Sequence, residues 1–471
     1  MSPMQSALPD DPERQRVLAL LQRFGHGSSS FQTLGPDFHY WFHDDDACLA
    51  YVDTGHAWVV GGLPIAAQDR YGELVAAFQK AARAHHRRVR YVTLDSRFTA
   101  AAGLDTLCFG EIPIWDPTAW ESTVRASRSL REQFRRARAK GIRTRLVPTS
   151  EVSDATSPVR RAMAGIVAGW MQTRRAPPLR FIARVDPFFL TAERRYVAAE
   201  WHGRLIAFLV AVPVYARNGW MIETVFRTRD TPNGVSELLV DAAMRVFAET
   251  GATFATLGAA PLTDGVNGWL RLGRWLGSGL YNFQGIYAFK AKLKPQRWEP
   301  IHIAYAHGGS AVVAFWDVAQ AFSPTDKRAL ALGILRRYRR PIVLLLAILL
   351  IPWTLLLASL DTARWYPSEA AQSAWVAFDI GLIGLCAMLA LRWRPALAVL
   401  TACLAGLDTG LTTYQAVVYN IPRITSVGDG VGIGIAVFGP LLAATFLWLA
   451  HRNSSPAGPQ PLDQTSPVPT A

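Results

Sequence analysis

Residues 331–452 constrain this chain more than any other stretch of it. The tetrabasic cluster Arg336, Arg337, Arg339 and Arg340 is followed by several long apolar runs. The first, 341–360, is twenty residues without a charge, enough to cross a hydrocarbon core of about 30 Å at about 1.5 Å per helical residue. Further candidate spans are 374–391, 395–419 and 431–450, the middle two carrying Asp379 and Asp408. A carboxylate inside a span is costly. Those two stretches therefore read either as a hairpin that stops short of crossing, or as spans whose carboxylates face each other, a polar headgroup or a translocation path, or else lie near the interface. Basic residues fall before the first span, between the second and third (Arg392, Arg394) and after the fourth (His451, Arg452). The intervening loops carry only Arg364 and Arg423 against Asp361, Glu369 and Asp429. The positive-inside rule then places the large preceding body and both termini on the cytoplasmic side, which predicts a multi-pass membrane protein. Residues 1–20 are polar and acidic where the apolar core of a signal peptide is required, so no leader is expected there.

The body before the spans, about 330 residues, is too long for one ordinary domain and suits two. Cys48, Cys108, Cys386 and Cys403 show neither ligand spacing nor a framework, which argues against disulfides and zinc. The formal charge of +13 fits attraction to anionic lipid or to nucleic acid without choosing between them. Residues 453–471, rich in Pro, Ser and Gln, read as a disordered tail.

Within the body, β-type runs at 51–60, 89–94, 196–214, 221–226 and 254–257 alternate with helical patterns at 70–86, 121–140, 157–172 and 234–250. This is an α/β pattern repeated in two halves. A boundary is expected at 148–158, where Ser, Thr and Pro cluster. The expected organisation is a polar segment 1–20, a first lobe 21–147, a second lobe 148–310, a basic connector 311–340, a membrane domain 341–452 and the tail.

Residues 120–145 form the strongest electrostatic feature. Arg128, Arg131, Arg135, Arg136, Arg138 and Lys140 recur at helical spacings, with Leu130 and Phe134 available to anchor the opposite face. Such a face grips phosphate backbone or anionic headgroups, or is simply a solvated surface; it carries no base-specific readout.

The second half holds the motifs that point to chemistry. Residues 219–237 run from an alternating strand through Pro232-Asn233-Gly234 into a helix. Alternation puts Met221, Glu223 and Val225 on one strand face with Arg227 beyond, a carboxylate and a guanidinium toward one cleft. Glu237 falls in the first turns of the helix, where negative charge is tolerated. The turn Leu257-Gly258-Ala259-Ala260-Pro261-Leu262 permits close ligand approach. In 281–300, Lys290, Lys292 and Lys294 alternate with Ala291 and Leu293, which reads as a strand with three ammonium groups on one face. Such a strand either meets an anion or protects a sheet edge.

These residues, together with Trp298-Glu299-Pro300 and more loosely Gly61-Gly62-Leu63-Pro64 and 131–141, make residues 30–305 resemble the cytoplasmic aminoacyltransferase domain of bacterial phosphatidylglycerol lysyltransferases, the multiple-peptide-resistance type. The resemblance implies a duplicated GNAT-like α/β acyltransferase fold, here followed by an all-α transmembrane domain. It also implies transfer of an aminoacyl group from charged tRNA, the co-substrate, to the hydroxyl of a membrane lipid, with phosphatidylglycerol expected and no other cofactor or metal. By this resemblance the catalytic candidates are Glu223, Arg227, Glu237 and Lys290. The substrate-binding candidates are Asp230, Asn233, Gly258, Tyr281, Asn282, Gln284, Lys292, Lys294 and Arg297. Arg128, Arg131, Arg135, Arg136, Arg138 and Lys140 would meet tRNA or anionic lipid. The expected partners are thus charged tRNA, phospholipid and the bilayer, and a homo-oligomer is compatible with the chain.

The domain order departs from the family's usual one, in which a large membrane region precedes the transferase. Two other readings stay open: an acyl-CoA-dependent N-acyltransferase, whose pyrophosphate loop would be sought at 271–277, and a noncatalytic membrane scaffold for anionic lipid or RNA.

Overall fold

A computed structural model describes residues 11–94, 98, 102–173, 179–261, 283–323 and 327–452. Contacts divide the chain into two compact units, 1–327 and 328–471.

The first unit opens with helix α1 (Pro12–Phe24), capped by the Asp11 carboxylate, which accepts the N–H groups of Glu13 and Arg14. Strands β1 (His39–Asp44), β2 (Ala47–Asp53) and β3 (Ala57–Val60) form an antiparallel meander, and α2 (Tyr71–Ala84) carries the chain to β4 (Arg88–Leu94), parallel to β3. Next come β5 (Asp105–Trp115), α3 (Trp120–Ala126), α4 (Arg128–Ala139), β6 (Arg143–Val147), α5 (Thr149–Ser153) and α6 (Pro158–Thr173). The second half repeats the pattern. Strands β7 (Arg195–Trp201), β8 (Arg204–Val214) and β9 (Gly219–Arg227) are antiparallel, and α7 (Val235–Glu249) leads to β10 (Phe254–Thr256), parallel to β9. The unit ends with β11 (Ala260–Pro261), α8 (Phe283–Lys292), β12 (Arg297–Tyr305) and α9 (Ala311–Phe322).

Among the described residues one mixed sheet runs β1-β2-β3-β4-β12-β5-β10-β9-β8-β7-β6, with β11 beside β5. The centre of this order is an exchange. The strand that follows β4, β5, lies against β10 of the other half, while the late strand β12 inserts between β4 and β5. The repeated meander, helix and parallel strand give the duplicated GNAT-like α/β fold, and the exchange ties the halves into one unit.

Packing explains the helices. On α4, Leu130, Phe134 and Ala137 are buried at helical spacing against a core that includes Trp115, Leu209, Ile222 and Leu239, and the arginines between them point outward. The expected helix 121–140 is two helices, broken where Ser127 adopts an extended conformation and caps α4. Strand β6 pairs with β7. Residues 115–147 therefore pack with the second half, and the 147/148 line lies inside that half's layers rather than between the halves.

In the second unit, α10 (Lys327–Ser359), α11 (Thr362–Trp365), α12 (Glu369–Leu391), α13 (Pro395–Gln415) and α14 (Val427–Arg452) follow in order. Four stretches are long and apolar enough to cross a membrane: Tyr338–Ser359, Glu369–Leu391, Pro395–Arg423 and Val427–Arg452. Both acid-bearing stretches are thus continuous helices long enough to cross a membrane. A turn of π-helix, Ala416–Asn420, extends the third. Leucines and valines along these helices are exposed, as expected of a lipid-facing surface.

Candidate functional site

Strand β9 pairs with β8 along its whole length, but its other edge meets β10 only at Gly219, Trp220 and Met221. Beyond Met221 no described strand covers that edge. The two parallel strands part, at the carboxyl ends where α/β sheets bind ligands. The parting is built by sequence. After Thr256 the chain leaves β10 through Gly258, whose φ of +69° is in the left-handed region that favours glycine. Opposite it, β9 carries a bulge: Val210 pairs with Thr224 and Ala211 with Ile222, leaving Glu223 as the extra residue.

The bulge corrects the expected alternation. Val225 pairs with Leu209 and packs with Ile222 in the α7-side core, and Arg227 pairs with Ala207 of that same core. Residues directly opposite share a sheet face, so Arg227 lies on the α7 side. The Glu223 carboxylate goes the other way. Its Oε2 accepts from Arg194 Nη1 at 2.5 Å and its Oε1 from Gln32 Nε2 at 3.2 Å. Both partners of the ion pair are deeply buried, with side-chain exposures of 3% for Arg194 and 8% for Glu223. Arg194 also donates to the Phe189 carbonyl and lies over the Phe31 ring. Glu223 and Arg227 therefore do not share a cleft, and Arg227 stands exposed.

Glu237 occupies the first turn of α7, behind Gly234 at φ +98°. A Cβ at Gly234 would come within 3.2 Å of the Ala137 Cβ, so the Pro-Asn-Gly turn lies tightly on α4. The buried Glu237 carboxylate accepts from Lys292 Nζ at 2.9 Å and from Gln133 Nε2 at 3.3 Å, and the Asn233 carbonyl accepts from Lys140. Asn233, Glu237, Lys140 and Lys292 thus meet at one place, where α4, α7 and α8 converge.

The three lysines do not lie on a strand. Residues Phe283–Lys292 are helical. Period-two alternation over so short a run does not discriminate, and packing decides: Leu293 is fully buried and its carbonyl accepts from Trp115 Nε1. The lysines consequently separate. Lys292 reaches Glu237, Lys294 is exposed at φ +56°, and Lys290 turns inward. Its ammonium donates to the carbonyls of Gly258 and Ala259 at 2.8 and 2.7 Å. The carbonyls favour the charged form, while burial opposes it and draws the pKa down to about 7. Lys290 so holds the turn where β10 leaves β9.

Of the remaining candidates, Asp230 and Gln284 are exposed, and Tyr281 and Asn282, like the 271–277 loop, lie outside the described residues. Arg297 shares the Glu299 carboxylate with Arg217. Along α4, Arg128, Arg131, Arg135 and Arg136 are exposed, Arg135 and Arg136 pairing with Glu132. Arg138 is tied to the buried Asp241, which also accepts from Trp120 Nε1 and Arg245. Gln32, Gln133, Arg194 and Asp241 are not visible as site residues in the sequence. Arg194 and Gln32 lie in no motif and reach Glu223 only through the fold.

The sequence profile described as phosphatidylglycerol lysyltransferase, C-terminal, matches residues 18–305. The chain belongs to this family. Among relatives, a phosphatidylglycerol lysyltransferase of Bacillus subtilis is 26% identical over 150 residues, covering 30% of this chain and 17% of its own length. The lysylphosphatidylglycerol biosynthesis bifunctional protein LysX of Gordonia bronchialis is 25% identical over 331 residues, 64% of this chain and 28% of its own. The chain thus spans less than a third of either relative. Two solved structures share the fold: the C-terminal DUF2156 domain of a protein described as a lysylphosphatidylglycerol synthetase from Agrobacterium fabrum, and L-PGS from Bacillus licheniformis. Their TM-scores are 0.57 and 0.56 at 24% and 20% identity, each covering 67% of this chain and 98% of the other. Family membership and the four apolar helices together make this a membrane-associated member of the family.

Proposed function

We propose that this protein is a multi-pass membrane enzyme that transfers an aminoacyl group from charged tRNA to the hydroxyl of a membrane lipid, phosphatidylglycerol in the first instance, with the transferase unit on the cytoplasmic side. The observation that carries the reading is the family match over 18–305, which includes every strand bordering the parted end of β9 and β10. In the reaction the lipid oxygen attacks the ester carbonyl, the new ester bond forms, the bond to the tRNA ribose oxygen breaks, and the hydroxyl proton passes to that oxygen. Such a reaction asks mainly for positioning and for charge stabilisation at the carbonyl.

The residues divide the work. Glu223, already engaged by Arg194 and Gln32, keeps lone pairs for a further donor and suits the ammonium of the aminoacyl group. Glu237, with its partner Lys292 on the exposed rim, suits orientation of the lipid hydroxyl and its phosphate. Lys290 shapes the Gly258 turn. The exposed arginines of α4 supply a phosphate-binding row for tRNA.

The test is lipid analysis by mass spectrometry of a host fed isotope-labelled amino acids and expressing the wild-type chain, Glu223→Gln or Glu237→Gln. A labelled lipid appearing with the wild type and reduced at least tenfold by either variant supports the reading and names the amino acid and acceptor. No labelled lipid from folded, membrane-inserted wild type overturns it.

A further inference from the structure

Buried carboxylates without a cation are the least explained feature of the second unit. Its helices surround a cavity of about 630 Å³ lined by Trp353, Tyr366, Trp375, Asp379, Asp408 and Gln415 among many apolar side chains. That volume falls within the range of about 300–1,000 Å³ common for small-molecule sites. Asp379 on α12 is 4% exposed and Asp408 on α13 is 6% exposed. Thr354 Oγ1 donates to Asp379 Oδ2 at 3.3 Å, and Thr412 Oγ1 donates to Asp408 Oδ1 at 3.0 Å. The other oxygen of each carboxylate has no donor among the described residues, and neither acid has a basic partner there.

A third acid on the same wall shows what satisfaction looks like. Asp429 pairs with Arg364 at 2.8 Å and accepts two backbone N–H groups, from Thr425 and Ser426. Two uncompensated carboxylates between apolar helices are expensive and call for positive charge from elsewhere. The aromatic wall narrows the kind of charge. Trp375 lies one turn before Asp379 on α12, its indole fixed by a 2.7 Å bond to Gln415 of α13, and Trp353 and Tyr366 add further ring faces. Aromatic faces beside carboxylates favour organic ammonium groups. Moreover, no group of three or more His, Cys, Asp or Glu suited to a metal ion occurs among the described residues.

We propose that this cavity is a binding site for a primary ammonium group carried by an amphiphile, the ammonium between Asp379 and Asp408 and the apolar part along the leucine-lined wall. The proposal does not rest on the transferase reading, because it concerns binding alone.

The test uses the full chain in neutral dodecylmaltoside micelles, titrated with dodecylammonium and followed by tryptophan fluorescence. Saturable binding is expected, weakened at least tenfold by Asp408→Asn and lost in the double variant Asp379→Asn/Asp408→Asn, which still unfolds cooperatively. Uncharged dodecanol should bind at least tenfold more weakly to the wild type, a control that needs no variant. Competition by free lysine would locate the ammonium source in soluble amines; competition by an aminoacylated lipid but not by lysine would locate it in the membrane. Equal binding of dodecanol and dodecylammonium, wild-type affinity in the double variant, absence of saturable binding, or displacement by sodium at concentrations equal to the amine would each overturn the proposal.

Discussion

The two units treat buried carboxylates in opposite ways. In the first, Asp317 is fully buried on α9 and pairs with Arg88 and Arg90; Asp241 gathers Arg138, Arg245 and the Trp120 N–H; Glu223 holds Arg194 and Gln32. In the second, Asp379 and Asp408 have only threonine hydroxyls. A soluble fold can bring arginines onto its acids from distant strands and helices. The four long apolar helices of the second unit carry their basic side chains near their ends, so an acid at mid-helix has no basic partner among the described residues. Buried charge in the first unit is therefore mainly architecture, and in the second is available for binding.

Substitution should separate the two classes by sign. The largest effect is expected for Asp317→Ala, which strands the buried Arg90 guanidinium and should cost on the order of 3–5 kcal/mol in unfolding of the first unit; Asp241→Ala strands the buried Trp120 N–H and should cost about 1–3 kcal/mol. Glu223→Ala belongs to the same class because it strands Arg194, and should destabilise more than Glu223→Gln. Asp408→Asn should instead leave thermal stability unchanged or raise it, since it removes the cost of burying a charge without a basic partner. A fall in melting temperature as large as that of Asp241→Ala would erase the contrast between the units.

Lys290 extends the contrast to a buried cation. Its folded pKa, about 7, lies below its ordinary value of 10.5, so between these values the unfolded chain binds the extra proton. Stability should therefore rise with pH across about 7 to 10.5 from this group, the cost of burying the ammonium being felt in full below that window. Replacement by Met should flatten the slope, read from denaturant unfolding at several pH values.

The smallest effect on stability is expected for Arg135→Ala/Arg136→Ala, whose pairs with Glu132 are exposed and screened by solvent. The same change should weaken tRNA binding several-fold and lower the salt slope by about 0.7–0.9 for each phosphate that is no longer neutralised. Unchanged tRNA affinity and slope would remove α4 from the proposed interface.

Much of this architecture is legible in order along the chain. The four long apolar helices, the outward arginines of α4 with Leu130 and Phe134 beneath them, and the turn from β9 into α7 follow from period and composition, which are local properties. The departures from the expected pattern also have local causes. One extra residue at Glu223 reverses the face of all that follows, and a five-residue alternation of Lys with Ala and Leu resembles a strand while packing makes it the end of a helix.

Side-chain order alone establishes which segments are long and apolar enough to cross a membrane, which helix face is basic and which family the chain joins, because each is written in residues a few positions apart. Packing in three dimensions settles the rest: Glu223 belongs to Arg194 and Gln32, Lys290 holds the Gly258 turn, β5 and β12 change places between the halves, and Asp379 and Asp408 look into one cavity. These depend on which distant side chain arrives in a given space, and no local period carries that information.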